Sequence, residues 1–253
     1  MIVAESKTFA GLVGLTPPQG SAEGAVRHDF EVHGTTVLAL KFKGGVLNLA
    51  DRRATAGNLI MYDQAEKILA LDDSTVVAIS GAFARSIEVC RFLKHSFKYY
   101  RRQTLHEMSL EGKLAEISRS LAGNAPMAMQ GIGVFLPIVS VYDKGRDDFG
   151  VYFFDGAGAR FQNGSYACAG SGSERIRGVF EYLAREKGQF QDRPLEEVLR
   201  DGLMMLDIAA DLDSATGGFN KTLPVTRILD KDGNREVPLE QLRAAADAVL
   251  NLD

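Results

Sequence analysis

Short β-prone runs in this sequence occur in pairs that are joined by turn residues. The run Thr36–Phe42 and the run at residues 46–50 flank the pair Gly44-Gly45, which predicts a β-hairpin. Residues 67–71 and 75–80 flank Asp72-Asp73-Ser74 in the same way and predict a second hairpin. A chain that opens with hairpins commits its first strands to antiparallel pairing.

The remaining segments predict two pairs of helices separated by further strands. Apolar residues recur at helical spacing over two early stretches, and two later stretches have the same pattern, the second starting near Pro194. The order of elements predicts an α+β fold: a four-layer αββα sandwich of two antiparallel sheets between helical layers. The predicted helices span 87–100, 110–121, 174–187, 194–210 and 239–250; the strands span 133–142, 151–154 and 161–169, with a last turn at 230–233.

Composition excludes several classes of function. The 253 residues include 29 Lys and Arg against 33 Asp and Glu, a formal charge of −4, so no basic surface for nucleic acid or an anionic membrane is expected. The sequence contains no apolar run of about 18 residues, so no membrane span is predicted. Cys90 and Cys168 are too few for a disulfide framework and suit a reducing cytosol. We therefore expect a cytoplasmic protein.

Residues 1–34 differ from the rest of the chain. They are rich in Gly, Ala, Ser and Pro and lack a basic start followed by a long apolar run, so they do not read as a secretory signal. On composition alone the segment is either a leader without consequence or a removable propeptide. From Thr35 onward, one domain at residues 35–253 is predicted, without an internal repeat or linker.

Motifs of common hydrolases are absent, since there is no G-x-S-x-G elbow, no H-E-x-x-H and no phosphate-binding loop. The histidines His28, His33, His95 and His106 are scattered and are interpreted as surface or packing residues, so no metal and no cofactor is expected. What remains is a set of small polar residues at turns and strand ends. Each has an ordinary structural explanation as a turn residue, a helix cap or a solvated lysine.

Four segments, taken in order and with their spacing, resemble proteasome β subunits of the bacterial, actinobacterial-like type. His-Gly-Thr-Thr at 33–36 precedes an apolar strand, and Ala-Asp-Arg-Arg-Ala-Thr-Ala-Gly-Asn at 50–58 is followed by Lys67. Ala-Gly-Ser-Gly-Ser at 169–173 precedes a helix, and Asp-Leu-Asp-Ser-Ala-Thr-Gly-Gly at 211–218 follows one. The resemblance covers residues 33 to about 232 and implies an N-terminal nucleophile hydrolase fold.

The resemblance also implies roles for individual residues. Thr35 becomes the first residue of the mature subunit, by autocatalytic cleavage after Gly34, and acts as the nucleophile of a threonine peptidase. The implied site consists of the catalytic core Asp51 and Lys67, the supporting residues Ser171, Asp211 and Ser214, the oxyanion donor Gly81, the peptide-binding Thr55, and the S1-pocket positions Ala54, Ala65 and Ile79. An apolar pocket of this kind favours cleavage after hydrophobic residues. Phe83 departs from the family pattern, which usually has a small residue there.

This chemistry agrees with what the residues can do. A threonine hydroxyl is a poor nucleophile until a base takes its proton, and no histidine is placed by a motif to do so. An α-amine titrates near 7.7–8.0 and is a suitable base, but Thr35 has one only after cleavage. Residues 1–34 would therefore keep the enzyme inactive. A buried Lys67 would favour the deprotonated amine and hydroxyl, and Asp51 would hold Lys67.

The implied partners are other β subunits in a seven-membered ring, α subunits in adjoining rings, an ATPase ring and unfolded polypeptide substrates. Three alternatives stay open. An HslV-type threonine peptidase is similar but lacks the Asp-x-x-Ser element of residues 211–214. A small-molecule amidohydrolase shares only the nucleophile. A non-catalytic ring subunit is disfavoured because Thr35, Asp51 and Lys67 are all present.

Overall fold

A computed structural model describes residues 34–57 and 59–251 of the chain. Gly34 is therefore the one described residue of the predicted propeptide, and residues 1–33, with His28 and His33, lie outside the described part. Asn58 and residues 252–253 lie outside it as well.

The first sheet has five antiparallel strands with β1 and β2 near its centre. The predicted opening hairpin is confirmed, since Val37 pairs with Ala50 and Phe42 with Gly45. Strand β10 flanks β1 on one side, and the closing hairpin β11–β12 flanks β2 on the other. The strands of this sheet are β1 (Thr36–Phe42), β2 (Gly45–Ala50), β10 (Tyr166–Gly170), β11 (Val225–Asp230) and β12 (Gly233–Arg235).

The second sheet also has five antiparallel strands, which follow one another in chain order. They are β5 (Ile68–Asp72), β6 (Thr75–Ala78), β7 (Ile138–Asp143), β8 (Asp148–Phe154) and β9 (Arg160–Asn163). The strand predicted at 133–142 begins only at Ile138, because Pro137 has no N–H to donate to a ladder. The strand predicted at 161–169 is two strands: the chain leaves the second sheet after Asn163 and enters the first at Tyr166.

A small ribbon between the two sheets' first hairpins was not predicted. Strands β3 (Ala54–Ala56) and β4 (Leu59–Tyr62) pair antiparallel and connect the end of β2 to the start of β5. All four side chains of β4 are exposed. Because these residues face water on both sides of the strand, they lack the alternation that marks a half-buried strand in a sequence.

Helices cover the outer face of each sheet, as predicted. One group is α1 (Phe83–Thr104), α2 (Leu110–Ala122) and the short α3 (Ala125–Ala128); the other is α4 (Ser173–Glu186), α5 (Leu195–Leu212) and α6 (Leu239–Leu250), with a 3₁₀ turn at Phe190–Asp192. Local signals explain the boundaries. Ser109 caps α2 by accepting the Gly112 N–H, and Pro126 lies in the first turn of α3 rather than ending α2.

Three apolar clusters fill the spaces between four layers. Successive residues of β1 alternate in direction: Leu38 and Leu40 pack against the helices α4–α6, whereas Val37 and Ala39 pack between the sheets. A third cluster joins the second sheet to α1 and α2. The α+β prediction with two stacked antiparallel sheets is therefore confirmed, and Thr35 lies at the start of a strand that is buried on both faces.

Within the described chain, no helix is both long enough and apolar enough to cross a membrane. Cys90 and Cys168 are free thiols, of which Cys90 is buried against α2 and the second sheet. His95 and His106 are exposed, in agreement with their interpretation as surface residues.

Candidate active site

A fully buried ion pair lies beside the start of β1. Asp51 directly follows β2 and Lys67 directly precedes β5, so the two strand ends bring their side chains together at 2.7 Å with no exposed surface on either. Asp51 Oδ1 also accepts the Thr36 N–H at 2.8 Å, and Oδ2 accepts the N–H groups of Arg53 at 2.8 Å and Gly217 at 3.0 Å. These partners satisfy the buried carboxylate as an anion.

The ammonium of Lys67 has an acceptor for each of its three protons. Besides Asp51, Nζ donates to the carbonyl of Arg53 at 2.5 Å and to the carbonyl of Gly34 at 3.2 Å. Burial lowers the pKa of Lys67 below the usual lysine value, although the charge and hydrogen bond of Asp51 oppose that shift. The lysine is thus directed at the carbonyl that precedes Thr35.

Thr35 is buried, with 3% of its surface exposed. Its Oγ1 lies 2.5 Å from the Gly34 carbonyl oxygen, to which it donates, so the threonine hydroxyl and Lys67 converge on the same peptide group. A side chain at position 34 would collide, because a Cβ there would lie 2.1 Å from Thr55 Oγ1 and 2.9 Å from the Ala215 carbonyl oxygen. Glycine is therefore required before Thr35 in this conformation.

The far side of Thr35 is held by the turn that follows β10. The Ser171 N–H donates to the Thr35 carbonyl at 2.9 Å, and Ser171 Oγ approaches the same oxygen at 3.4 Å. Gly170 has φ +97, and a Cβ there would lie 1.9 Å from the Thr35 carbonyl oxygen. The close approach of the two chain segments thus depends on glycine at this position.

The acid that contacts Ser171 is Asp213, whereas Asp211 was predicted in that place. Helix α5 continues to Leu212, so Asp211 is exposed on its last turn, and Asp213 adopts an extended conformation that turns its side chain back. Ser171 Oγ donates to Asp213 Oδ2 at 2.6 Å. The structure therefore places Asp213, rather than the predicted Asp211, in contact with Ser171.

The hydroxyl that completes this group is also displaced by two residues from the prediction. Ser214 is exposed and contributes its backbone carbonyl, which accepts from Arg53 Nη1 at 3.1 Å. Thr216 is fully buried and donates from Oγ1 to Asp213 Oδ2 at 2.6 Å. The sequence contains Asp-x-x-Ser at 211–214 and Asp-x-x-Thr at 213–216, and only the position of the helix end distinguishes them.

Burial by itself would raise the pKa of Asp213, but hydrogen bonds outweigh that effect. The hydroxyls of Ser171 and Thr216 and the Ala215 N–H all donate to the carboxylate, and the pKa of Asp213 is lowered as a result. Asp213 is therefore an anion at neutral pH that orders the turn carrying Ser171.

Gly81 directs its N–H toward the Lys67 side of the second sheet. The Ser80 carbonyl accepts from the Leu136 N–H at 3.1 Å, and in a planar trans peptide the following N–H points the opposite way. On that opposite side the Ile79 N–H donates to the Lys67 carbonyl at 2.8 Å. Gly81 has φ +95, and a Cβ there would lie 2.2 Å from the Val134 carbonyl oxygen.

The residues predicted to bind substrate are all buried close to these strand ends. Thr55 Oγ1 lies against Gly34, as its clash with a Cβ there shows, and Ala54, Ala65 and Ile79 are buried, uncharged residues. Phe83, which departs from the family pattern, is the first residue of α1 and packs partly buried against the cluster that contains Ile79.

The arrangement contains the elements of acyl transfer. A threonine hydroxyl lies beside a peptide carbonyl, a buried ammonium donates to that carbonyl's oxygen, and Gly81 directs its N–H toward the Lys67 side. In residues 34–57 and 59–251, no group of His, Cys, Asp or Glu side chains is placed to hold a metal ion.

Comparison with known proteins identifies relatives of this chain. The profile of a family described as "Proteasome subunit" matches residues 31–221. A protein named proteasome subunit beta from Acidothermus cellulolyticus is 34% identical over 225 residues, covering 86% of this chain and 76% of the relative. Proteins of the same name from Streptomyces griseus (31% identical, 93% of this chain, 80% of the relative) and Gordonia bronchialis (34%, 92% and 82%) also match.

Proposed function

This chain belongs to the proteasome subunit family, with actinobacterial β subunits among its relatives, and from that premise we propose that it is the catalytic β subunit of a bacterial proteasome core particle. Its activity would be that of a threonine-type endopeptidase acting on unfolded polypeptides. The observation that carries the proposal is the convergence of Thr35 Oγ1 and Lys67 Nζ on the carbonyl of Gly34.

The first reaction of such a site is on its own chain. The Thr35 hydroxyl attacks the Gly34 carbonyl carbon and the peptide C–N bond breaks, which leaves Gly34 as an ester on Thr35 and frees the Thr35 amine. Water then hydrolyses the ester, so that residues 1–34 leave with a carboxylate and the domain at residues 35–253 begins with Thr35. Until this step the amine is an amide and cannot act as a base.

In the mature subunit the same hydroxyl attacks a substrate peptide. The freed amine takes the hydroxyl proton, and the positive charge of Lys67 favours the deprotonated forms of both groups. Asp51 holds Lys67 through the buried ion pair. The N–H of Gly81 would meet the developing oxyanion, and losing one such donor typically costs about 2.7–4 kcal/mol of barrier. Water releases the acyl group and regenerates the site.

On the other side of Thr35, Ser171 and Asp213 would fix the position of the nucleophile. Ser171 donates to the Thr35 carbonyl, and the carboxylate of Asp213 orients the Ser171 hydroxyl. Thr216 supports Asp213 in the role that the sequence analysis assigned to Ser214. A direct comparison checks this reassignment: Asp213→Asn should reduce peptide turnover by about tenfold, as for a lost charged hydrogen bond, and Asp211→Asn should leave it unchanged.

We propose the substrate preference from the resemblance and from the uncharged side chains at the positions that it implies. Ala54, Ala65 and Ile79 would form an S1 pocket that favours hydrophobic residues before the cleaved bond, while Thr55 and Gly81 would hold an extended peptide by strand addition. As partners we propose β subunits in a seven-membered ring, α subunits and an ATPase ring, within the cytoplasm. No observation on this chain favours the HslV-type, amidohydrolase or scaffold alternatives.

The activity is tested with a hydrophobic fluorogenic peptide and chain that is co-expressed with its α subunit. The chain is expected to hydrolyse this peptide in preference to one with an acidic residue before the cleaved bond, and Thr35→Ala should abolish hydrolysis. Thr35→Ser, which keeps a hydroxyl and an amine, should retain measurable turnover. Hydrolysis that persists in Thr35→Ala would refute the threonine mechanism.

A further inference from the structure

Thr36, the residue after the nucleophile, is linked to both carboxylates of the candidate site, to Asp51 directly and to Asp213 through Thr216. Its backbone N–H donates to Asp51 Oδ1 at 2.8 Å. Its side chain, which has no exposed surface, lies 2.6 Å from Thr216 Oγ1, and Thr216 in turn contacts Asp213. The residue thus lies between the ion pair on one side of Thr35 and the Ser171 group on the other.

The direction of each hydrogen bond in this chain of hydroxyls is determined. The Gly172 N–H donates to Thr36 Oγ1 at 3.1 Å. Thr216 donates its only hydroxyl proton to Asp213 Oδ2, because a carboxylate can only accept. Thr36 therefore donates its hydroxyl proton to Thr216 Oγ1. The series of hydrogen bonds begins at the Gly172 N–H, passes through the hydroxyls of Thr36 and Thr216, and ends at the carboxylate of Asp213, which only accepts.

The hydroxyl groups of Thr36 and Thr216 are packed so closely that neither can move far from its hydrogen-bond partners. A Cβ on Gly172 would lie 2.4 Å from Thr36 Oγ1 and 2.7 Å from Thr216 Oγ1. Both threonines have no exposed surface, so water cannot replace a lost hydroxyl without a rearrangement. Removing the Thr36 hydroxyl would leave the Gly172 N–H without its acceptor and Thr216 without a donor, which is costly in a buried site.

We propose that Thr36 is a positioning residue that couples the two carboxylates, Asp51 through its backbone and Asp213 through its hydroxyl, and so fixes Thr35 between them. The inference rests on the proposed function, because it explains how a nucleophile at a strand end is held from both sides. Thr36 acts through Thr216 and Asp213 and has no role as an acid, a base or a nucleophile.

Two substitutions at position 36 distinguish this role from packing. Thr36→Val keeps the shape and removes the hydroxyl, whereas Thr36→Ser keeps the hydroxyl and removes the methyl group. With the fluorogenic peptide, and rates expressed per processed site, Thr36→Val is expected to lower kcat by about tenfold or more with little change in KM. Thr36→Ser should stay within about threefold of the native rate. A packing role predicts the reverse order.

A cycle with Thr216→Val tests the connection to Asp213. Because both substitutions interrupt the same series of hydrogen bonds, the double variant should be no slower than the slower single variant, instead of showing the product of both effects. Thr226→Val, which removes a buried threonine hydroxyl from β11, is the matched control and should keep the native kcat. If Thr36→Val is not processed, Thr216→Val alone carries the test, since it interrupts the same series of hydrogen bonds next to Asp213.

The outcomes separate the inference from the proposed function. Native protein without turnover that depends on Thr35 would refute the proposed function. Native protein that is active, together with Thr36→Val at half the native kcat or more, would overturn only the role of Thr36. Impairment of Thr36→Ser equal to that of Thr36→Val, or multiplicative effects in the double variant, would overturn it as well.

Discussion

Replacing Lys67 by Met should separate the contribution of the buried ion pair to stability from its contribution to catalysis. Methionine fills most of the lysine's volume and removes only the ammonium. Breaking a buried ion pair by removing one partner typically costs about 3–5 kcal/mol. Asp51 would keep the N–H groups of Thr36, Arg53 and Gly217, so we expect a cost near the lower limit, about 3 kcal/mol.

For a folded region of this size, about 3 kcal/mol lowers the midpoint of thermal unfolding by roughly 6–12 °C. Catalysis should suffer far more, since without the ammonium neither the amine nor the hydroxyl of Thr35 is favoured in its deprotonated form. Turnover of a hydrophobic fluorogenic peptide at 25 °C, well below the unfolding transition, should fall by at least about 100-fold. Cleavage after Gly34 should fail as well.

The pair between Arg193 and Asp201 supplies a matched control. Its atoms are 2.6 Å apart and its side chains are 6% and 8% exposed, and its other partners are Lys187 and Glu197 rather than residues of the site. Arg193→Met should lower the unfolding midpoint to a similar degree and leave turnover per processed site unchanged. The reasoning is refuted if Lys67→Met retains turnover within tenfold of the native chain, or if Arg193→Met loses as much activity.

Three further predictions follow from local geometry and charge. Gly81→Ala should abolish turnover because of its φ of +95 and the clash with Val134, whereas Gly188→Ala, at φ +85 in open space, should remain active in the same assay. Burial raises the pKa of Cys90 to about 12, so native alkylation at pH 8, followed by mass spectrometry, should be on the order of 10³-fold slower than in denaturant. Because the pKa of Asp213 is lowered in the folded protein, its carboxylate stabilises the fold above a pH of about 4, and this stabilisation is lost as the pH falls further. In unfolding curves measured in acid, the difference in stability between the native protein and Asp213→Asn should therefore shrink.

Most of the fold could be predicted, because in most segments the spacing of the apolar residues and the turn residues at the ends indicate the same element. The opening hairpin combines β-prone runs with a Gly pair, and each long helix has an apolar stripe. Where the two signals disagree, prediction fails. Residues 161–169 were predicted as one strand, although Asn163-Gly164-Ser165 is a turn signal, and it is there that the chain passes from one sheet to the other. Strand β4 is exposed on both faces and β3 has only three residues, so neither shows the alternation of apolar and polar residues that marks a strand.

The candidate site shows the same division. Asp51 and Lys67 could be named because the motif at 50–58 followed by Lys67 resembles that of proteasome β subunits, and the structure places their side chains in contact. Asp213 and Thr216 were missed because two overlapping Asp-x-x-Ser/Thr patterns occur two residues apart. Only the end of α5 at Leu212 decides which acid contacts Ser171, and helix boundaries are what sequence patterns predict least precisely.

The intact mass of the chain, purified after co-expression with its α subunit, tests most directly whether Thr35 becomes N-terminal. The expected mass is that of a chain that has lost residues 1–34, with activity appearing together with that loss, while Thr35→Ala keeps the full-length mass and is inactive. An active sample in which the bond between Gly34 and Thr35 is still intact would contradict the account, because the amine proposed as the base would then not exist.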